Sequence, residues 1–260
     1  MIKQSSNSCN SSEEFEGNLL SKKGESKIKL AVMGAMPEEI EPLLKYYKNY
    51  EIIEYAKNKY YLISYRDSKI VVAYSKIGKV NATITATTMI EKFNCEKLLF
   101  SGVAGAISEN LKIGDLIVAT KLAQHDLDIT AFGHPYGYVP EGAVYEEADK
   151  DLINIAKVVA SEKNIQLKET IIATGDQFVC DVAKKEWIEK TFHAGALEME
   201  GAAVALACNS LDTPFFILRS ISDAADMDAS FNFDEFLESS AKISADFIIS
   251  MIDKVIDAVK

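Results

Sequence analysis

The chain has 260 residues, 48% of them hydrophobic, and a formal net charge of −11. Its length and apolar share are enough for one sizeable α/β core. Its acidity argues against nucleic acid and anionic membrane surfaces as partners, because both select clustered Lys and Arg.

Arg66 and Arg219 are the only arginines, which leaves little for bidentate phosphate recognition. Cys9, Cys95, Cys180 and Cys208 are far apart and form no CxxC. Three of them lie in apolar or strand-like surroundings, which predicts reduced, buried thiols in a reducing compartment. No apolar run approaches the length of a membrane span.

Residues 1–27 are polar and serine-rich with no apolar h-region, and they read as a disordered extension or an expression remnant. The location expected is cytoplasmic. Export, or a lipid tether through Cys9, is the lesser alternative.

The pattern changes at Lys27. "IKLAVMGAM" is a continuous apolar run suited to a strand buried on both faces. Pro37 then opens a helix with acids in its first turn. "YYLISYR" and "KIVVAYS" flank Asp67-Ser68 as a hairpin. "GKVNATITATTMIEKF" predicts a helix, and "KLLFSGVAGAI" a strand ending in a glycine loop. "GDLIVATKLA", "KETIIATGDQFV" and "TPFFILRSISD" predict three more strands, with a helix near 146–162. Asn232 and Glu235 have capping-box spacing. The helix they open would bury Phe236, Ile243, Phe247, Met251 and Val255. Alternating strands and helices predict a three-layer single α/β domain over 28–260, with a mixed, largely parallel central sheet.

In open α/β sheets the ligand sits beyond the carboxyl ends of the strands. Polar residues gather at these ends: Glu38 and Glu39, Ser101 to Gly105, Asp176 and Phe178, Glu198 to Glu200, and Arg219 to Asp223. Glu39, Glu200 and Asp223 would converge on one crevice. Taken singly, Glu39 reads as a helix-dipole acid and Asp223 as a cap or turn residue. In "GALEMEGAAVALAC", Glu198 and Glu200 cannot share a helical face at i, i+2, so the segment changes from strand to helix there. Two charges in such apolar surroundings cost several kcal/mol unless they are paired.

Other motifs fail. "SGVAGA" is neither GxGxxG nor a P-loop, and "DAADMD" lacks EF-hand spacing. "HDLD" has only two other histidines to draw on, His134 and His193, which disfavours a metal site.

Seven segments carry a resemblance: "MGAMPEEI", "SKIGKVNA", "SGVAGAI", "HDLDITAFG", "TGDQFV", "LEMEGAAVA" and "LRSISDAAD" followed by "FDEF". Together, and in order from about Ile28, they resemble the bacterial 5′-methylthioadenosine/S-adenosylhomocysteine nucleosidases, hydrolases of the nucleoside phosphorylase superfamily. The resemblance implies that superfamily's α/β fold, a homodimer, and cleavage of an N-glycosidic bond to adenine and a thioribose. It implies no metal and no organic cofactor.

By this resemblance Glu39 activates water and Asp223 protonates adenine N7. Glu200 binds the ribose hydroxyls, Met199 packs on the sugar, and Glu198 with Arg219 supports the water site. Phe178 stacks on adenine and Val179 offers backbone hydrogen bonds, with Gly105 and Ser222 beside them. Met36, Ile77 and Phe233 form the alkylthio pocket, and Phe132 and Pro140 enter it from the partner subunit. Val103 stands where the family commonly has serine, which removes a hydroxyl.

Three readings compete. A phosphorylase needs cationic donors for phosphate, and the acids of "MGAMPEE" oppose an anion. A hydrolase for AMP or a futalosine-type nucleoside is closer, although the apolar Met36, Ile77 and Phe233 suit an uncharged thioether. A surface-exposed, non-catalytic binding protein would not need three acids.

Overall fold

The computed structural model describes residues 29–225 and 229–258. The polar extension, Cys9 and Ile28 lie outside the described residues. In chain order, β1 (Lys29–Gly34) leads into α1 (Pro37–Tyr47), followed by β2 (Glu51–Tyr55), β3 (Asn58–Tyr65) and β4 (Ser68–Tyr74). Helix α2 (Lys79–Thr87) continues as a π-helical turn over Thr88–Lys92, then come β5 (Lys97–Ala106) and β6 (Leu116–Gln124). The two-residue β7 (Glu146–Glu147), α3 (Lys150–Lys163), β8 (Leu167–Thr174) and α4 (Val182–Phe192) follow. The chain closes with β9 (Ala196–Glu198), α5 (Gly201–Ser210), β10 (Phe215–Asp223) and α6 (Ala229–Ala258).

Local chemistry accounts for the boundaries. Pro37 is the first residue of α1, where its missing N–H would have had no partner. Asp149 and Asp181 cap α3 and α4 by accepting from the amides of Leu152 (2.8 Å) and Lys184 (2.7 Å). Asn164 and His193 end the same helices in the left-handed conformation. Helix α6 starts at Ala229, so Asn232 falls inside its first turn instead of capping it.

The strands join in the order β10-β6-β8-β9-β5-β1-β4-β3-β2, and β10 also pairs with β5. Five strands therefore close a ring (β5, β10, β6, β8, β9), and β1, β4, β3 and β2 extend from it as a wing. Parallel ladders hold the centre, β4–β1–β5–β10 on one side and β6–β8–β9 on the other. Antiparallel ladders join these blocks at β10–β6 and β5–β9 and build the outer wing. Helices α1, α3 and α6 cover one side, and α2 and α5 the other. The buried centre is continuous from β1 through Phe100, Phe215 and Phe216 to Phe247 of α6.

Several details differ from the sequence expectation. "SGVAGA" is not a loop: β5 runs through it to Ala106, with Arg219 and Ser220 of β10 paired to Gly102 and Val103. Strand β2 and helix α4 had no clear apolar period. β2 is an exposed edge, and α4 buries only Ile188 and Phe192. Cys95 and Cys208 are buried as expected, whereas Cys180 is exposed.

Helix α6 buries Phe247, Met251 and Val255, while Ile243 is 39% exposed because Ser240, Ala241, Ser244 and Ala245 form the buried face at that level. Met251→Ala is expected to cost about 2–5 kcal/mol in chemical denaturation. Ile243→Ala should cost well under about 1 kcal/mol in the same measurement.

Candidate active site

A cavity of about 280 Å³ opens where β1, β5, β8, β9 and β10 end. β1, β5 and β10 reach it as one set of parallel neighbours, and β8 and β9 as another. β9 meets β5 antiparallel over Gly105 and Ala106 and stops at Glu198, on the cavity wall. Met36, Glu39, Ile77, Gly105, Phe178 and Val179 line the space on one part of the chain. Glu198, Met199, Glu200, Ser222, Asp223 and Phe233 complete it. Among the described lining residues four are carboxylic acids and none is basic. Most of the remaining wall is apolar.

Glu39 is the third residue of α1, and the helix start turns its side chain inward, leaving it 2% exposed. One carboxylate oxygen accepts from the amides of Ala35 and Met36, and the other from Val103 N at 3.0 Å. Burial pushes its carboxyl above the usual range, while the Arg219 charge and these amides pull it partly back. The contact from residue 103 is made by the backbone, so valine supplies it as well as serine would. A Cβ at Gly102 would lie 2.7 Å from Glu39 Oε1 and 3.3 Å from Arg219 Cζ, so glycine gives both side chains their space.

Arg219 does not line the cavity. It lies behind the wall at 1% exposure, its guanidinium 4.0 Å over the Phe100 ring. Its Nη1 donates to the carbonyls of Leu218 (3.0 Å) and Phe100 (3.3 Å), and its Nη2 to Glu198 Oε2 at 2.7 Å. The same Glu198 oxygen accepts from the amides of Gly201 (2.7 Å) and Glu200 (3.2 Å), where α5 begins, and Oε1 accepts from Thr174 Oγ1. A helix N-terminus, a guanidinium and a hydroxyl thus satisfy one buried carboxylate.

Glu200 stands at the N-cap position of α5, but its side chain turns away from the helix and has far less support. Its Oε1 accepts from Gly78 N at 2.8 Å. Burial, then the adjacent Glu198 charge, push its carboxyl up to about 8, opposed by Gly78 and Arg219. The two acids of "LEME" therefore part ways: Glu198 faces the protein and Glu200 faces the cavity.

Asp223 ends β10 at 4% exposure. Its Oδ2 accepts from Ser222 Oγ at 2.9 Å and its Oδ1 from Ala225 N at 2.8 Å. A Cβ at Gly105 would come within 2.7 Å of Oδ1. Phe178 and Phe233 meet edge to face at 5.7 Å across the mouth, and Phe178 is 47% exposed. Phe132 and Pro140 are exposed and stand apart from the residues lining the cavity in their own protomer.

Sequence reasoning gave no role to Gly102, Gly78 or Thr174: the two glycines act through backbone and space, and the Thr174 hydroxyl reaches Glu198 from the end of β8, a contact made only in the fold. It also left His125 without a role. That imidazole is buried beneath Gly175, where a Cβ would be 2.3 Å from Nε2, and neither ring nitrogen has a hydrogen-bond partner among the described residues.

Burial pushes the His125 imidazole down to about 4, against the pull of Asp126 and with help from Lys184 and Lys79. Its folded value lies below the unfolded one, so the stability it preserves is fully present above pH ~6.5. That stability is lost as the pH falls toward about 4. Urea denaturation should show His125 contributing about 1.4 kcal/mol per pH unit in that window, a slope that His125→Leu should flatten. Gly105→Ala should displace Asp223 and reduce turnover by at least about tenfold with the fold retained, read by initial rates and circular dichroism.

The chain matches the family model described as "Phosphorylase superfamily" over residues 29–254. It is 56% identical over 228 residues to the aminodeoxyfutalosine nucleosidase of Campylobacter jejuni, covering 88% of this chain and 100% of that one. A crystal structure of the 5′-methylthioadenosine/S-adenosylhomocysteine nucleosidase of Campylobacter jejuni superimposes with a TM-score of 0.84 at 57% identity, covering 87% of this chain and 99% of that one. A mutant of the Helicobacter pylori nucleosidase with 5′-methylthioadenosine in its active site gives 0.86 at 49% identity, covering 87% and 99%. With the family model spanning nearly the whole described chain and relatives of such high identity, this protein belongs to the phosphorylase superfamily and stands among its nucleosidases, the N-glycosyl hydrolases.

Proposed function

We propose that this enzyme hydrolyses the N-glycosidic bond of adenine nucleosides with an extended 5′ substituent: 5′-methylthioadenosine, S-adenosylhomocysteine and aminodeoxyfutalosine. The observation that carries this reading is an apolar cavity lined, among the described residues, by four carboxylic acids and no cation. Phosphate would meet repulsion there, whereas water meets a base. The relatives' names favour the same set, since nucleosidases called after aminodeoxyfutalosine and after methylthioadenosine both align over nearly their full length.

Cleavage leaves positive charge on the sugar and negative charge on the departing purine. Glu39, held by two amides between β1 and α1 and by the Val103 amide of β5, takes the proton from the attacking water. Asp223, held by Ser222 and Ala225 at the end of β10, gives a proton to adenine N7. Glu200 accepts from the ribose hydroxyls, and these bonds strengthen as the sugar becomes cationic. Phe178 stacks on the base, Val179 meets its edge through the backbone, and Met199 packs on the sugar. Met36, Ile77 and Phe233 receive the 5′ tail.

The mouth is open in one protomer: Ile77 is 52% exposed and Phe178 47%. Phe132, at 81% exposure, and the exposed Val80 are the apolar groups that a homodimer would cover. In that assembly Phe132 and Pro140 of one subunit complete the tail pocket of the other.

Adenine release from all three nucleosides is expected at full rate without phosphate, followed by coupled detection of adenine. Strict dependence on phosphate would overturn the hydrolytic reading. Asp223→Asn and Glu39→Gln should each lower kcat by about 10²–10⁴-fold while the substrate still binds; near-normal kcat in either variant would remove that residue from the mechanism. The raised Glu200 carboxyl is neutral below about 8 and ionises above it, so kcat/KM should titrate near there. That step should be absent in Glu200→Gln.

A further inference from the structure

The amides at the start of α2 point at two different carboxylates. Gly78 N donates to Glu200 Oε1 at 2.8 Å, and the next amide, Lys79 N, donates to Asp176 Oδ1 at 2.8 Å. Asp176 opens the segment 176–179, which carries Phe178 and Val179 into the cavity. Its own amide donates to Asp126 Oδ2 at 2.8 Å, and Asp126 Oδ1 accepts from Lys79 Nζ at 2.6 Å. The circuit is closed: consecutive amides of one turn hold the sugar acid and the base-stacking segment, and Lys79 returns through Asp126 to the same segment.

This circuit is built and shielded. The Lys79 and Asp126 side chains are 18% and 14% exposed, well below an ordinary surface pair. Burial pushes the Asp126 carboxyl up, but the bonds from Lys79 and Asp176 outweigh it and leave it below the usual range. Gly78 has φ +99°, and a Cβ there would lie 3.0 Å from Asp176 Oδ1, so the turn that aims both amides requires glycine. Beneath the segment, the His125 ring fills the space next to Gly175. Neither Asp126 nor Asp176 lines the cavity.

We propose that Asp126 and Asp176 are positioning residues that lock the adenine-stacking segment 176–179 to Lys79, whose neighbouring Gly78 amide holds Glu200, so that base and sugar are bound in register. This rests on the nucleosidase reading above. Without the lock, Phe178 loses its fixed height over the base while Glu39 and Asp223 keep their own hydrogen bonds. The consequence falls on binding more than on the bond-breaking step.

The test is steady-state kinetics on the full chain for Asp126→Ala, Asp176→Ala and Asp176→Asn, with adenine affinity measured by titration calorimetry. Both alanine variants should raise KM and weaken adenine binding by about tenfold or more, with kcat within about threefold. Asp176→Asn keeps the oxygen that accepts from Lys79 N and should restore near-normal KM, which a general loss of stability would not do. The double alanine variant should be no worse than the poorer single one, because one circuit is broken only once. If Asp126→Ala does not fold, Asp126→Asn keeps one of two acceptors and should give an intermediate KM. KM and adenine affinity within about twofold of wild type in folded variants, or a fall in kcat with KM unchanged, would overturn the proposal. If wild type binds adenine yet releases none from any nucleoside, the functional reading fails, while the adenine affinities still decide whether the lock exists.

Discussion

One buried ion pair organises the site. Arg219 and Glu198 meet at 2.7 Å with side-chain exposures of 1% and 3%, and such a pair is tolerable only when every remaining donor and acceptor is engaged. Here two backbone carbonyls take the guanidinium, the Phe100 ring lies beneath it, and two helix amides and a threonine take the carboxylate. Because Glu198 is consumed in this way, the start of α5 is fixed and Glu200 is turned outward. The same guanidinium moderates the rise in the Glu39 and Glu200 carboxyls. Removing either partner would leave the other buried and uncompensated, which is far costlier than the pair itself.

The site mixes two kinds of acid. Glu198 borders the cavity but is saturated with donors from the protein. Glu39 and Glu200 are under-compensated and border the space where a ligand would lie. Groups held in raised protonation states within a cleft are candidates for proton transfer and for hydrogen bonding that changes during reaction. A uniformly saturated cluster would be stable and inert; a uniformly unsaturated one would not fold around itself.

Much of this was legible in the sequence, for identifiable reasons. β1, β5, β6 and β10 are central and largely buried, and β8 is buried at its end by the cavity, so their apolar runs announce them. Pro37 and the acids after it marked the start of α1. The acids at strand ends were visible because carboxylates are conspicuous amid apolar residues, and motif order along the chain gave them roles through the resemblance. What was hidden depended on geometry. β2 is an exposed edge without alternation, and α4 has only a narrow buried face. The glycines of "SGVAGA" suggested a loop, yet they lie in a strand because Glu39, Arg219 and Asp223 occupy the room that side chains would take. The ring of strands was also invisible, since β9 is three residues long and its pairing to β5 is set by tertiary contact.

That ring has a consequence for how the molecule is made. β5 needs β10 on one edge, and roughly half the chain separates them in sequence; such non-local closure is slow, because the entropy of bringing distant segments together must be overcome first. During synthesis the wing of β1 to β4 can assemble while the acid wall does not yet exist. The wall of the cavity is therefore incomplete until the last strand lies between β5 and β6, because that strand ends in Ser222 and Asp223.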